Sequence, residues 1–282
     1  MNICEVAPSK KYSAPNIKVF SEDYTSDSEK WETKGRLIMR EYLKINADKA
    51  GIYLSEEMLL KFEVFYNLLI ETNKLFNLTA VTEMHEVVLK HFIDSMMIEK
   101  CFLKTSKIKE DSFVFTKVID VGTGAGFPGI PMAILYSDVE FVLIDSLKKR
   151  LNFIEEVLKK ADIKNVSLVH GRAEDLGQDL KYREQFDLCV SRAVASLPVL
   201  LELCTPFVRV DGKFVSYKSE LLKEELEHSK KALSILHCNV EKQFEYIIPD
   251  SDLYRVLAVF SKEKNLEKKY PRQAGKLKKN PL

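Results

Sequence analysis

The spacing of apolar residues changes along the chain, and before about residue 110 it predicts helices. Apolar side chains there recur three and four positions apart, the spacing of one helix face, as in Leu59, Phe62, Tyr66 and Leu69. Ser55 precedes two acids and is a typical N-cap for this helix. A second helix is predicted over residues 83–102, with Thr82 as its N-cap. Residues 39–110 are therefore predicted to form a helical cap.

After residue 110, short apolar runs alternate with helical patterns, which is typical of an α/β fold. The predicted strands span residues 113–121, 140–145, 166–169, 186–190, 212–217, 241–248 and 254–260. Helical segments separate the first five strands, so we expect these strands to be parallel. A short turn, Pro249–Asp252, joins the last two strands and predicts a closing antiparallel hairpin. The sheet domain is predicted to span residues 111–262.

Both ends of the chain differ in composition from the rest. Residues 1–38 contain prolines, many polar residues and an acidic run, and they cannot bury enough apolar surface to fold alone. We predict that they form a disordered extension upstream of Met39 that activity does not require. Residues 263–282 form a basic tail, and Lys262–Lys279 holds eight basic residues and two acids. This tail fits two interpretations, a phosphate-binding segment or a solvated terminus.

The overall composition narrows the class of protein. Lys+Arg number 43 and Asp+Glu number 42, so any nucleic-acid contact must come from local basic clusters. The five cysteines show no C-x-x-C spacing, which predicts reduced thiols and no metal site. No apolar run approaches the roughly 18 residues of a membrane span, and the N-terminus lacks a secretory pattern. We therefore predict a cytoplasmic protein without a membrane partner.

A glycine-rich stretch follows the first predicted strand. Gly124, Gly126 and Gly129 have the G-x-G-x-x-G spacing of dinucleotide-binding turns, which alone is a weak signal. The glycine series begins earlier, however, at Gly122, and Asp120 precedes it. An acid at this strand end would repel a pyrophosphate, whereas it would offset the ammonium of S-adenosylmethionine. The D-x-G-x-G-x-G form also resembles motif I of S-adenosylmethionine-dependent methyltransferases.

Further polar residues follow the other predicted strands, at the edge where an open α/β sheet binds ligands. Asp145 lies nineteen residues after Gly126, near the position of an acid that binds a ribose hydroxyl. This position suits either NAD or S-adenosylmethionine, but the closing hairpin argues against an NAD-binding sheet. Arg192 and Lys218 follow the fourth and fifth strands. His91 belongs to the predicted cap, where helical spacing favours a histidine held by Asp94 over one that lines a cleft.

The chain from about Arg40 to Leu282 resembles the RsmG (GidB) family of 16S ribosomal RNA guanine-N7 methyltransferases. The matching motifs are Phe76–Thr79, His91–Ser95, Asp120–Pro131, Asp145–Ser146 with Lys149–Arg150, Ser191–Ala193, and the ending Tyr270–Gly275 with Pro281–Leu282. One departure is Ser219, where the family pattern has glycine after the lysine. The resemblance implies a Rossmann-like class I methyltransferase fold, with a mostly parallel seven-stranded sheet and an N-terminal helical cap.

The resemblance also implies a ligand, a substrate and a site. The cofactor would be S-adenosylmethionine, bound by residues of the motifs above: Asp120, Gly122, Gly124, Gly126, Phe127, Asp145, Ala173, Glu174 and Arg192. The substrate would be 16S ribosomal RNA, the small subunit or its assembly intermediate, methylated at N7 of a specific guanine (the guanine-527 type of site). Arg192, Lys218 and His91 are candidates for positioning that guanine, with no general base, and the protein is expected to be a monomer.

Two other classes remain open at this stage. One is a methyltransferase of the same fold that acts on a small molecule or a protein. The other is a non-catalytic RNA-binding module, which would bind RNA without binding the cofactor. An NAD-dependent enzyme ranks last, because both Asp120 and the closing hairpin argue against it.

Overall fold

Seven segments of the described part of the chain form the strands of a single sheet. They are β1 (Lys117–Val121), β2 (Glu140–Asp145), β3 (Val166–His170), β4 (Phe186–Arg192), β5 (Val208–Lys218), β6 (Cys238–Ile247) and β7 (Tyr254–Lys262). This computed structural model describes residues 28–102 and 113–282. The strand order is β3-β2-β1-β4-β5-β7-β6, in which only β7 runs antiparallel to its two neighbours. The sheet is therefore mostly parallel with one antiparallel hairpin, which confirms the predicted fold class.

Helices cover both faces of the sheet because its central strands are apolar on both sides. Successive side chains of a strand point to opposite faces, so Val118 and Ile119 belong to two different apolar layers. The helices are α1 (Ser28–Lys49), α2 (Glu56–Asn73), α3 (Met84–Val87), α4 (Asp94–Met96), α5 (Ile98–Phe102), α6 (Gly129–Leu135), α7 (Lys148–Lys160), α8 (Ala173–Leu176), α9 (Leu197–Cys204), α10 (Leu222–Ile235) and α11 (Lys276–Lys279). The layer of Val118 includes α1, α2, α6 and α7, whereas that of Ile119 includes α9 and α10.

The described N-terminal helices pack against the apolar layer that contains Val118, and their ends differ from the prediction. Ser55 caps α2 by accepting a hydrogen bond from the Met58 N–H (3.2 Å), as predicted. The cap of α3 is Glu83 and not Thr82, because the Glu83 carboxylate accepts from the Glu86 N–H (2.9 Å). Helix α1 begins at Ser28, so the boundary predicted between residues 38 and 39 falls within it. Residues 1–27 lie outside the described residues.

A π-helical turn, Val88–Ile93, links α3 to α4 and interrupts the single α-helix predicted over residues 83–102. Such turns place residues i and i+5 in hydrogen-bond register and are frequent at functional sites. His91 lies within the turn, and Asp94 follows it directly. The i, i+3 spacing of an ordinary α-helix therefore does not describe the relation between these two side chains.

The strand ends also depart from the prediction. Strand β1 begins at Lys117 rather than at residue 113, because Lys117 is the first of its residues to pair with β2, opposite Glu140. Strand β5 begins earlier than predicted, at Val208. The carboxyl ends of β1, β2, β3 and β4 lie along one edge of the sheet, where the predicted ligand-binding residues converge. No described helix is long and apolar enough to cross a membrane.

Candidate functional site

A cavity of about 690 Å³ opens at the carboxyl ends of the parallel strands. This volume lies within the range of sites for cofactors and drug-sized ligands, about 300–1,000 Å³. Eight of the predicted site residues line it: His91, Gly122, Gly124, Phe127, Asp145, Ala173, Glu174 and Arg192. The fold therefore brings together residues that lie up to a hundred positions apart in the chain.

The glycine turn forms the floor of this cavity through its backbone. The Gly122 and Thr123 N–H groups both donate to the Ile144 carbonyl, at 3.0 and 3.1 Å. Gly124 has a φ of 61°, a conformation that favours glycine. A Cβ at Gly124 would have no neighbour nearer than the Gly122 carbonyl at 4.0 Å, so it would project into open space. The turn thus leaves room for a ligand to approach the backbone.

Asp145 holds the end of β2 against this turn. Its Oδ2 accepts a hydrogen bond from the Gly124 N–H (3.0 Å) and lies 3.3 Å from the Arg150 guanidinium. Its Oδ1 accepts from the Leu147 N–H (2.8 Å). Because each carboxylate oxygen can accept two hydrogen bonds, Oδ1 retains capacity for a ligand hydroxyl. Arg150 also lines the cavity, a position that the motif Lys149–Arg150 does not by itself predict.

Asp120 lies beneath the turn and does not line the cavity. Its carboxylate is fully buried and accepts a hydrogen bond from the Gly129 N–H (2.9 Å). Burial raises the pKa of Asp120 to about 7, even though Thr123 and the Gly129 N–H favour its charged form. The expectation that Asp120 offsets a ligand ammonium directly does not fit this geometry, because the side chain is fully buried and is not part of the cavity lining. Gly126 also lies outside the cavity lining.

His91 is packed against the aromatic ring of Phe127. The two rings are stacked with centroids 4.5 Å apart, and His91 Nε2 lies 2.8 Å from the Thr79 hydroxyl. Burial, together with the positive charge of Arg192, lowers the pKa of His91 to about 3. The imidazole is therefore uncharged at neutral pH, and it lines the cavity as a neutral side chain.

Arg192, at the end of β4, forms a buried ion pair with the cap. Its Nη1 donates to Asp94 Oδ2 (2.8 Å) and to the Lys90 carbonyl (3.2 Å). The other oxygen of Asp94 accepts from the Tyr246 hydroxyl (2.8 Å) on β6, and Arg255 lies 3.8 Å away. The interpretation in which Asp94 holds His91 is therefore wrong, since Asp94 instead joins the cap to β4 and to the hairpin.

A second cavity, of about 420 Å³, adjoins the first and shares its lining residues His91, Arg192 and Ala193. Lys218 lines this second cavity and lies 2.7 Å from Glu225 of α10. Ala193 has a φ of 56°, and such strained backbone is common at functional sites. Lys218 is thus separated from the residues around the glycine turn, and Arg192 lies at the junction of the two cavities.

The sequence interpretation missed several residues that line these cavities. Arg255 lines the second one, and Tyr246 supports it through Asp94, but both lie on the hairpin without a motif around them. Ala274, Gly275 and Leu277 line the first cavity. Two of these belong to the ending Tyr270–Gly275 noted in the sequence, which could have indicated a role beyond a basic tail.

The described residues contain no group of three or more His, Cys, Asp or Glu side chains placed to hold a metal ion. Cys101, Cys189, Cys204 and Cys238 are buried and free, as expected of small core residues.

Comparisons with known proteins agree with this architecture. The family model described as "rRNA small subunit methyltransferase G" matches residues 58–249. The chain is 47% identical over 242 residues to the ribosomal RNA small subunit methyltransferase G of Thermoanaerobacter sp. (strain X514), covering 86% of this chain and 98% of that protein. The protein of the same name from Lachnoclostridium phytofermentans is 45% identical over 232 residues, covering 82% and 93% respectively.

A solved structure supports the fold alone. A putative O-methyltransferase from Klebsiella pneumoniae aligns with a TM-score of 0.50 at 15% identity, covering 80% of this chain and 97% of its own. The identity to the curated relatives extends over nearly their whole length, and the family model spans most of the chain. The chain therefore belongs to the rRNA small subunit methyltransferase G family.

Proposed function

We propose that this protein transfers a methyl group from S-adenosylmethionine to N7 of a specific guanine in 16S ribosomal RNA, the guanine-527 type of site. The observation that carries the proposal is the pair of adjoining cavities with Arg192 at their junction. One cavity would hold the cofactor and the other the base, so that the two reactants meet beside Arg192. The curated relatives are named as methyltransferases of small-subunit ribosomal RNA, which supports this substrate class.

The residues of the larger cavity fit S-adenosylmethionine. The open space above Gly124 admits a ligand close to the backbone, and Asp145 and Glu174 supply carboxylates that can accept hydrogen bonds from hydroxyl and amino groups. Ala173 and Phe127 supply apolar surface. When bound, the cofactor provides an electrophilic methyl group on a sulfonium. The proposed role of Asp120 and Gly126 is indirect, since they shape the turn from below.

The residues of the smaller cavity fit a guanine nucleotide. Guanine O6 and the phosphate oxygens accept hydrogen bonds, and Arg192 and Lys218 can donate them. Guanine N7 carries a lone pair and no proton, so its methylation needs positioning rather than a general base. His91 fits this chemistry, because a histidine with a pKa near 3 is a neutral positioning group and not an acid at neutral pH.

The proposed substrate must present an unpaired base. A base inside a helix cannot enter a cavity of this kind without leaving its stack, whereas single-stranded or incompletely folded RNA presents it readily. Naked 16S RNA, an assembly intermediate and the small subunit are the three candidate forms. Both cavities are lined by residues of one chain, so a monomer suffices, and a ribosomal substrate implies action in the cytoplasm.

The test is to incubate the protein with labelled S-adenosylmethionine and small-subunit RNA that lacks the modification, in each of the three forms. The label is then mapped by cleavage at N7-methylguanosine. We expect one labelled guanine in at least one form. Label in protein or in a small molecule instead would show a different methyltransferase. RNA binding without any heat of S-adenosylhomocysteine binding would show a non-catalytic module.

A further inference from the structure

The chain after β7 folds back onto the sheet domain rather than extending into solvent. Tyr270 and Leu277 are 7% and 3% exposed and belong to the apolar layer that includes α9. Ala274, Gly275 and Leu277 line the larger cavity, next to Val199 and Leu203 of α9. We call residues 270–277 the C-terminal strap. Pro271 is buried as well, whereas residues 273–276 are exposed. The strap is therefore packed on the sheet domain at its two ends and is not a wholly solvated terminus.

Arg183 fixes the beginning of the strap. This side chain is only 7% exposed, and a buried guanidinium must find hydrogen-bond acceptors. Its Nη1 donates to the Tyr270 carbonyl (2.7 Å) and to the Gly177 carbonyl (2.9 Å). Its Nη2 donates to the carbonyls of Leu266 (3.0 Å) and Glu267 (3.2 Å). The buried guanidinium of Arg183 therefore binds the backbone at the start of the strap and just before it.

Glu202 fixes the middle of the strap. Its carboxylate, on α9, is 1% exposed and accepts hydrogen bonds from three donors of Arg272: the backbone N–H (2.8 Å), Nε (2.8 and 3.1 Å) and Nη2 (2.6 Å). Gln178 adds a hydrogen bond to the Pro271 carbonyl (2.9 Å). Buried ion pairs contribute little net stability, but they specify position when their geometry is bidentate. The residues after Arg272 are thereby held against the cavity.

We propose that the C-terminal strap is part of the cofactor site, with Glu202 and Arg183 as its positioning residues. The inference rests on the proposed function, because it assumes that the larger cavity binds S-adenosylmethionine. Ala274, Gly275 and Leu277 bring no charge to the cavity, so their contribution is apolar contact and exclusion of water. The basic character of the tail therefore does not describe its role over these residues.

Docking of the strap and binding of the cofactor are then linked. A ligand that binds only the assembled cavity stabilises the docked strap, and a docked strap raises the affinity for the ligand. S-adenosylhomocysteine is a suitable probe because its binding can be measured without turnover. We expect it to slow hydrogen exchange at the backbone N–H groups of Tyr270 and residues 272–277.

The test compares S-adenosylhomocysteine affinities by calorimetry in the full chain and its variants. Leu277→Ala removes a lining side chain and is expected to raise Kd about three- to tenfold. Glu202→Gln removes the charge that holds Arg272 and is expected to raise Kd by a similar factor. Leu282→Ala is the matched control, because Leu282 packs on the same apolar layer without lining the cavity. Its Kd is expected to match that of the unchanged chain.

Thermal unfolding without ligand checks that each variant is folded. The proposal is overturned if folded Leu277→Ala and Glu202→Gln variants bind with unchanged Kd and unchanged hydrogen exchange, or if Leu282→Ala weakens binding equally. In that case the unchanged chain still binds S-adenosylhomocysteine, and the proposed function stands. If the unchanged chain binds no S-adenosylhomocysteine, the larger cavity is not the cofactor site, and both the proposed function and the role of the strap are wrong.

Discussion

The larger and the smaller cavity share Arg192, but the chain builds them in different ways. The floor of the larger one is the backbone of the glycine turn, and the carboxylate of Asp145, the last residue of the neighbouring strand, holds this turn through the Gly124 N–H. The smaller one is made by side chains from the cap, β4, β5 and β7, which meet only in the folded protein. A ligand that lies directly on backbone leaves little room for an added side chain. A cavity lined by side chains depends instead on the ion pairs that hold those side chains in place.

Because the two cavities are built differently, we expect mutations in each cavity to affect a different measurement. Changes in the glycine turn should alter cofactor affinity or the stability of the turn. Changes in the smaller cavity should alter RNA methylation while cofactor affinity stays constant. Arg192, His91 and Ala193 are exceptions, because they line both cavities. The following variants test this division, beginning with the largest expected effect.

Asp120→Asn tests whether the acid of the glycine motif serves the turn. Burial raises the pKa of Asp120 in the folded protein from 3.8 to about 7, so the folded state binds a proton more tightly than the unfolded state does. Its contribution to stability is therefore largest below pH 4 and is lost between pH 4 and 7. The loss corresponds to about 4 kcal/mol in the free energy of unfolding.

Asparagine keeps an acceptor for the Gly129 N–H but does not titrate. The variant should therefore gain stability relative to the unchanged protein as the pH rises through this window. Urea unfolding of both proteins at several pH values measures the difference. Parallel pH profiles would contradict a raised pKa at Asp120.

Arg192→Ala tests the junction of the two cavities. Removing a donor that holds the substrate in a catalytic site costs roughly 100-fold in turnover, or about 3 kcal/mol. The variant also removes the nearer cation of buried Asp94 and leaves it Arg255 at 3.8 Å and the Tyr246 hydroxyl, so we expect a loss of stability below the roughly 3–5 kcal/mol of a fully unpaired buried charge. The double variant Arg192→Ala/Asp94→Asn removes both charges. It should recover much of the stability without recovering methyl transfer, and undiminished turnover in either would exclude Arg192 from the site.

Gly124→Ala tests the backbone character of the larger cavity. The added Cβ would occupy the open space above the turn, and the residue would be held at a φ of 61°. We expect a Kd for S-adenosylhomocysteine about tenfold higher, equivalent to about 1.4 kcal/mol. Gly51→Ala is a control for backbone strain, because Gly51 has a φ of 68° and does not line the cavity, and its added Cβ would meet only the flexible end of the Lys100 side chain, at 2.6 Å. Both variants carry similar backbone strain, so equal losses of affinity would contradict a ligand that occupies the open space above Gly124.

Lys218→Ala tests the side-chain character of the smaller cavity. One ammonium in a site that faces a phosphate or guanine O6 is expected to change KM for RNA about threefold, with an unchanged Kd for S-adenosylhomocysteine. Lys230→Ala is its control, because Lys230 is paired with Glu227 on the exposed surface of α10. Equal effects of the two substitutions would mean that Lys218 acts only through the net charge.

Local patterns in the sequence predicted much of this protein. The glycine turn, the acid at the end of β2 and the alternation of strands and helices depend on neighbouring residues, and hydrophobic spacing reveals such features directly. The resemblance to the family, carried by motifs such as Asp120–Pro131, is confirmed by the family model and the curated relatives. These features require few contacts between distant parts of the chain.

Tertiary structure decided the direction and partners of the polar side chains. The sequence predicted both Asp120 and Asp145 as site residues. Only the folded structure shows that Asp120 lies beneath the glycine turn and that Asp145 lines the cavity. Asp94 meets Arg192 and Tyr246 across about a hundred positions or more, after a π-helical turn that ordinary helical spacing does not predict. The strap likewise depends on Arg183 and Glu202, far from it in sequence, because a buried charge takes the partners that the fold places within reach.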